Sequence, residues 1–359
     1  MPHRVCATNV TLMTDRRPPL DPATARIRHA VRETLASAGI GAGRTVLIAL
    51  SGGADSLALA AATAFESIRG GFSAGAVIVD HGLQEGSAET AGSAAEAARA
   101  LGLDPVVVVR VTVEGTGGPE AAARTARHAA LDAERVRLGA DAVLYGHTLD
   151  DQAETVLLGL ARGAGATSLR GMAAVDGPRL RPLLELRRTD TEEACAAEGL
   201  TPWSDPHNSE ERFARVRVRH TVLPVLEREL GPGIAEALAR TAAQLAEDAD
   251  ALDAMVEETI EEICAHAEAG IAISASALAA NPPALRHRVI RLVARSEFGV
   301  SLSRAHTLEI ARLATAWHGQ GPLHVPGMIV RRDAGLIYLQ SATELDPNAE
   351  GWQELVPGD

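Results

Sequence analysis

The run Ser51-Gly52-Gly53-Ala54-Asp55-Ser56 follows an apolar segment, Thr45 to Leu50, and opens an Ala/Leu-rich stretch. Paired glycines let a backbone turn sharply and bring N–H groups close to a ligand. A helix starting there adds unpaired N–H groups and a positive dipole end, a combination suited to phosphate. Ser51 and Ser56 offer hydroxyl donors. Asp55 beside phosphate calls for a cation between them, which points to Mg²⁺. The plainer reading is a strand-to-helix turn in which Asp55 merely caps the helix.

Two further polar sets follow apolar segments. Val79-Asp80-His81-Gly82-Leu83-Gln84 is either exposed at a cleft or a satisfied structural Asp–His pair. His147-Thr148-Leu149-Asp150-Asp151-Gln152-Ala153-Glu154-Thr155 carries a capping box, Thr148 with Asp151 three residues on. On the helix so begun, Ala153, Val156, Leu157 and Leu160 share the core face, leaving Asp151, Glu154 and Thr155 turned toward the cleft. Two acids and a histidine so placed can hold Mg²⁺ or an ammonium group. Upstream, Glu120, Arg124, Arg127 and His128 lie at helical spacing. Either Arg124 or Arg127 reaches phosphate, or Glu120 and Arg124 form an i,i+4 pair.

These groups need a scaffold that gathers them. Strand candidates Thr45 to Leu50, Ala76 to Asp80, Pro105 to Val111 and Asp141 to Gly146 alternate with helices Ser56 to Ile68, Ala88 to Leu101 and Pro119 to Leu138. That alternation predicts an α/β fold, a doubly wound, mostly parallel sheet. Such sheets bind ligands beyond the carboxyl ends of their strands, where all three polar sets stand. A smaller helical second domain follows, ending in a small β-meander over Pro322 to Leu339. The predicted divisions are a leader at 1–20, a catalytic domain at 21–228, a helical domain at 229–340 and a tail at 341–359. Met13 is a candidate initiation site.

Composition narrows the chemistry. All 34 basic residues are arginine, which excludes a lysine-bearing P-loop and any lysine-nucleophile chemistry. Cys6, Cys195 and Cys264 form no CxxC pair, arguing against zinc, an iron–sulfur cluster or a disulfide frame, and fitting a reducing cytoplasm. No apolar run has the roughly 18 to 20 residues of a membrane helix. The net charge of −13 is unevenly spread. Eight acids and no base lie between Glu247 and Glu262, whereas six arginines lie between Ala284 and Arg312. Arg212, Arg215, Arg217 and Arg219 follow one another with no intervening acid. Local patches decide whether a phosphate backbone docks, so the 212–219 run and the 286–295 helix are predicted to meet phosphates.

The turn at Ser51 to Ser56 matches the PP-loop of N-type ATP pyrophosphatases. Further blocks follow in order: VDHGLQ from Val79, AARTARH from Ala122, GHTLDDQAETVLLGLARGAG from Gly146, LRGM from Leu169, RPLLELRR from Arg181 and WSDPHNSEERFARVRVR from Trp203. Together, over roughly Val46 to Leu226, they resemble the tRNA(Ile)-lysidine synthase family. The resemblance implies that ATP adenylates the wobble cytidine of a CAU-anticodon isoleucine tRNA at its 2-carbonyl oxygen, releasing pyrophosphate. Free L-lysine then attacks through its ε-amine, AMP leaves, and lysidine results. It implies catalytic roles for Asp55, His147, Asp150, Asp151 and Glu154, and Mg²⁺ at Asp55 and Asp151. ATP falls to Ser51, Gly52, Gly53, Ala54, Asp55, Ser56, Asp80, His81, Arg124 and Arg127. Lysine or tRNA falls to Gln152, Thr155, Arg162, Asp205, Asn208, Arg215, Arg217 and Arg219. The chain departs from the family pattern at Gln84, His128 and Val216, where Arg, Tyr and Asn are usual. A second C-terminal domain, carried by longer members, is not expected. A monomer and a homodimer both fit. The alternatives are another N-type ATP pyrophosphatase, such as a tRNA thiolation enzyme, and a non-catalytic tRNA-binding relative.

Overall fold

The computed structural model describes residues 20–82, 86–112, 119–163, 165–203, 210, 212–267 and 270–342. The 1–19 part of the expected leader, Met13, the tail beyond residue 342, Gln84, Asp205 and Asn208 lie outside them, as does the Glu120 side chain. The described chain forms two compact units, divided between Leu245 and Ala246.

In the first unit, α1 (Pro22–Ser37) precedes β1 (Thr45–Ala49), α2 (Ala54–Gly70), β2 (Ser73–Asp80), α3 (Ser87–Ala100) and β3 (Val106–Arg110). Then come α4 (Pro119–Arg137), β4 (Ala142–Leu144), α5 (Leu149–Ala161), α6 (Ala166–Leu169), β5 (Val175–Asp176), β6 (Arg179–Leu180) and α7 (Arg188–Ala197). The strands form one sheet in the order β3-β2-β1-β4-β6-β5, all parallel except the last pair. Chain order reverses direction between β1 and β4, so the crevice beyond their carboxyl ends is the topological switch point. Alternate residues of β1 serve opposite faces. Val46 and Ile48 join the core beneath α1, α2 and α3, whereas Leu47 and Ala49 join Leu131 of α4 and Val143. A strand covered on both faces reads as a continuous apolar run, which is how Thr45 to Leu50 reads.

The chain continues through α8 (Ala214–Arg217), a π-helical turn at Val218–Val222, α9 (Leu223–Leu230) and α10 (Ile234–Ile263). Leu149 and Ala153 of α5 pack with Val218, Leu223 and Ala235. The two units divide inside α10; a domain boundary near residue 228 stands as our proposal. The second unit holds β7 (Cys264–Ala267), β8 (Gly270–Ser274), α11 (Ala275–Ala280), α12 (Pro283–Phe298), α13 (Arg304–Thr315), β9 (Leu323–Val325), β10 (Met328–Asp333) and β11 (Leu336–Ser341). The expected meander is present as β9 to β11, but within a five-stranded sheet, β7-β8-β11-β10-β9. Its apolar face meets α12 and α13 through Ile273, Val289, Ile290, Ile310 and Ile337.

Candidate active site

The turn after β1 is shaped by its own side chains. Gly52 adopts φ +84°, a conformation that costs glycine least. Ser56 Oγ donates to the Gly53 carbonyl at 3.0 Å and accepts from Ser51 N at 3.2 Å, with Ser51 Oγ 3.1 Å away. The Ser56 hydroxyl is thus committed within the turn, leaving Ser51 the more open of the two expected donors. Gly146, at the end of β4, is required by proximity. A Cβ there would lie 3.0 Å from the Asp55 carbonyl and Ser56 N.

Beside this turn lies a polar cleft of about 580 Å³, lined among others by Asp55, His147, Asp151, Arg188, Arg215 and Arg219. The expected capping box is present: Thr148 N donates to Asp151 Oδ2 at 2.9 Å. The other oxygen, Oδ1, accepts from Arg188 and Arg219, each at 3.2 Å. Burial pushes the Asp151 carboxyl up, but Arg188, the Thr148 N–H and further positive charge outweigh it and hold the pKa below the usual value. Asp55 differs. Burial raises its pKa further than Arg188, 3.4 Å away, and the Thr191 hydroxyl, 2.5 Å away, lower it.

Glu154 is fully buried, beneath the cleft floor instead of open to it. Arg219 grips it through two hydrogen bonds of 2.7 and 3.1 Å. Arg215 Nε lies 3.2 Å from Glu154 Oε2 but out of line for a hydrogen bond, while its Nη2 donates to Thr155 Oγ1 at 2.8 Å. Glu154 and Thr155 therefore aim Arg215 and Arg219. Asp150 turns away, accepting from Arg188 N at 2.8 Å and facing Arg187 at 3.0 Å, so it pins the start of α7. Gln152 spends both ends of its amide on the Met172 backbone, at 2.8 and 2.9 Å. Arg162 stands exposed at the far end of α5, and Arg217 is exposed and donates to the Arg212 carbonyl.

A second, smaller cavity of about 210 Å³ opens between the ends of β1 and β2. Its walls are mainly apolar, from Leu50, Val77, Ile78 and Leu131, with Asp80, His81, Ser87 and Thr90 at its polar rim. Burial pushes the Asp80 carboxyl up, but the Gly82 N–H, the Ser87 hydroxyl and Arg110 more than offset this and keep it ionised. His81 is held neutral by burial and by Arg127. Ala49, Ser51, Arg127 and Trp203 line both cavities. Arg127 is strongly desolvated, and burial with the neighbouring Arg124 weakens its hold on its proton. A guanidinium remains charged even so. His147 has its pKa depressed to about 3, first by burial and then by Arg181, Arg127 and Arg124, so its ring is neutral. His128, one of the departures, is driven to about 4 by burial and by the same kind of arginine crowd. It stands 3.4 Å from the Tyr145 hydroxyl. Val216, another departure, is simply buried.

Arg188, Thr191 and Trp203 are site residues that motif reading did not single out. Arg188 bridges Asp55 and Asp151 and comes within 3.8 Å of Glu154. Trp203 N donates to the Gly52 carbonyl at 2.9 Å, which fastens its backbone to the glycine turn. Among the described residues, no set of three or more His, Cys, Asp or Glu is disposed to hold a metal by itself. In the second unit, Arg286 is taken up by the backbone carbonyls of Leu278, Ala279 and Asn281, and Arg288 is ion-paired to Asp253. Those two arginines of the expected phosphate-binding helix thus have protein partners.

A glycine turn joining a parallel strand to a helix at the switch point, facing an acid–arginine cleft, defines a nucleotide-binding PP-loop protein. A PP-loop domain family matches residues 23–226, and a TilS substrate binding domain matches residues 273–338. The chain is 61% identical to the tRNA(Ile)-lysidine synthase of Leifsonia xyli subsp. xyli over 82% of its length and 89% of the relative's. Against the Thermobifida fusca enzyme of that name it is 52% identical, over 85% and 94%, and against that of Salinispora tropica 51%, over 92% and 99%. The chain belongs to the tRNA(Ile)-lysidine synthase family. Among solved structures, the U34-tRNA thiolase NcsA of Methanococcus maripaludis, with its [4Fe-4S] cluster, shares the fold. The TM-score is 0.54 at 19% identity, over 63% of this chain and 80% of that one.

Proposed function

We propose that this chain is a ligase that joins free L-lysine to the 2-position of the wobble cytidine of CAU-anticodon tRNA(Ile), using ATP. The single observation that carries the reading is the meeting of the Ser51–Ser56 turn with the Asp55 and Asp151 acids and the Arg188 that bridges them at one switch-point cleft, in a chain of this family. Pyrophosphate and AMP are the by-products.

The smaller cavity takes the adenine and the glycine turn takes the phosphates. Backbone N–H groups of the turn, Ser51 and Arg127 orient the triphosphate so that its α-phosphorus faces the larger cleft. Asp55 and Asp151 are drawn to a common cation, as their shared contact with Arg188 illustrates. Asp55 and Asp151 would hold Mg²⁺ together with the phosphates of bound ATP. When bound with ATP, Mg²⁺ supplies charge neutralisation for the departing pyrophosphate. Neutral His147 lines the same cleft, and its buried Nδ1 has no hydrogen-bond partner. Arg215 and Arg219, aimed by Thr155 and Glu154, face substrate anions. Asp150 and Gln152 act as positioning residues, holding α7 and the Met172 loop.

The test is labelled lysine incorporation into CAU-anticodon tRNA(Ile) transcripts with ATP. Lysine-dependent product with matching AMP release is expected. Pyrophosphate release that depends on a different nucleophile would assign the chain to another ATP pyrophosphatase activity, and no pyrophosphate release at all would leave only tRNA binding.

A further inference from the structure

The two cavities share a wall, and that wall includes the indole of Trp203. In the proposed reaction, which this inference builds on, the α-phosphate must sit where the cavities join. It is tied to an adenosine in the smaller cavity and to a pyrophosphate over the glycine turn. The attacking O2 of the cytosine approaches the phosphorus from the side opposite the leaving pyrophosphate. The cytosine ring therefore comes to rest at the same junction, and a base drawn out of an anticodon loop needs a surface to replace its lost stacking.

Among the described residues, the aromatic side chains lining the cavities are His81, Tyr145, His147 and Trp203. Tyr145 is only 2% exposed, and its ring is already stacked on His147, with centroids 5.8 Å apart and planes 7° from parallel. His81 lies in the smaller cavity alone. Trp203 keeps 38% of its surface exposed, a large value for an indole at a cavity wall. Its backbone is fastened to Gly52, which sets the residue beside the phosphate-binding turn. The adenine cavity has aliphatic walls of its own in Leu50, Val77 and Leu131 and does not require the indole.

We infer that Trp203 is the stacking platform for the wobble cytosine, holding the ring against the α-phosphate during adenylation and lysine attack. Base–aromatic stacking is worth ~1–3 kcal/mol, or about 5- to 150-fold in affinity. Trp203→Leu is expected to raise the KM for tRNA by at least about fivefold while leaving the Kd for ATP, measured without tRNA, within about twofold. Trp203→Phe, which keeps a π-face, is expected to recover most of the loss. With Trp317 and Trp352 replaced by Phe, the remaining indole reports directly. Adding CAU-anticodon transcript should quench its fluorescence, and the same transcript made abasic at the wobble position should not.

An unchanged KM for tRNA in Trp203→Leu would overturn the inference. So would quenching by ATP alone with a weakened ATP Kd, which would assign the indole to adenine, or equal quenching by the abasic transcript. If Trp203→Leu disturbs the glycine turn, ATP affinity falls in that variant, and the Trp203→Phe and fluorescence results decide. Failure of the function itself is separate: the unaltered protein would then incorporate no lysine, whatever residue 203 is.

Discussion

Glu154→Gln keeps the volume of a fully buried side chain and removes its charge beneath three arginines. The two hydrogen bonds to Arg219, at 2.7 and 3.1 Å, are charge-assisted. Each such bond is worth ~1.5–3 kcal/mol, and breaking a buried pair by removing one partner costs ~3–5 kcal/mol. Glutamine retains one acceptor oxygen for Arg219 Nε, and Arg188, Arg215 and Arg219 keep 22%, 26% and 23% of their side-chain surface exposed. Water thus absorbs part of the freed positive charge, and the net cost comes to about 3 kcal/mol. For a unit of this size, about 2–4 °C is lost per kcal/mol, so the melting temperature should fall by about 6–12 °C. Thermal unfolding followed by circular dichroism measures it, and a cycle with Arg219→Met should show coupling of at least about 1 kcal/mol between the two positions. A drop under about 2 °C with no coupling would refute the idea that Glu154 holds the arginine wall in place.

Asp55→Asn separates stability from activity. Burial raises the folded pKa of Asp55, so its contribution is fully present below the unfolded value and is lost as pH rises through the folded pKa. The variant should melt no lower than the parent at pH 7.5 while pyrophosphate release falls about 100-fold; a clear loss of melting temperature or parent-like release contradicts this. His128→Phe tests the opposite sign. With a folded pKa of about 4, below the unfolded 6.5, His128 contributes stability above pH 6.5 that is lost as pH falls toward 4. The variant should therefore lose less melting temperature than the parent between pH 7.5 and pH 5, and an identical loss would show that His128 does not titrate as described. Gly146→Ala puts a Cβ 3.0 Å from the backbone of Asp55 and Ser56. It should cost ~1–3 kcal/mol and weaken ATP binding, since the turn itself must move; equilibrium ATP binding checks it, and unchanged affinity would mean the turn has slack.

What motif reading recovers here is local. The turn at Ser51 to Ser56 is readable because its glycines directly follow a strand buried on both faces, and the Thr148–Asp151 capping box because its partners are three residues apart. Helical spacing alone puts Glu154 at the cleft surface, because its position lies opposite Ala153 and Val156. Its burial depends on Arg219, 65 residues further on, which no periodicity reveals. Arg188 is hidden from periodicity for the same reason: its backbone is held by Asp150, 38 residues back, through a hydrogen bond. A pair of arginines ending an apolar run, with Thr191 three residues on, was the available signal. In the second unit, β7 went unseen because Cys264 follows the helical stripe of Ile260 and Ile263, and a four-residue strand shows too little alternation to break it.

The absence of lysine acquires a meaning once the cleft is drawn. Asp55, Asp151 and Glu154 need cations nearby, and phosphate needs them as well, so the site is crowded with positive groups, Arg127, Arg188, Arg215 and Arg219. Were Arg127 an ammonium, its burial beside Arg124 would depress its pKa and free an amine close to an adenylated cytidine. That amine would be a permanent, covalently tethered rival to the substrate. A guanidinium carries the same charge, makes forked contacts to carboxylates, and stays protonated even when crowded, so it has no free electron pair to offer. An arginine-only lining therefore supplies the electrostatics of the site and is itself inert toward the intermediate, leaving attack on the activated base to the amine of free lysine.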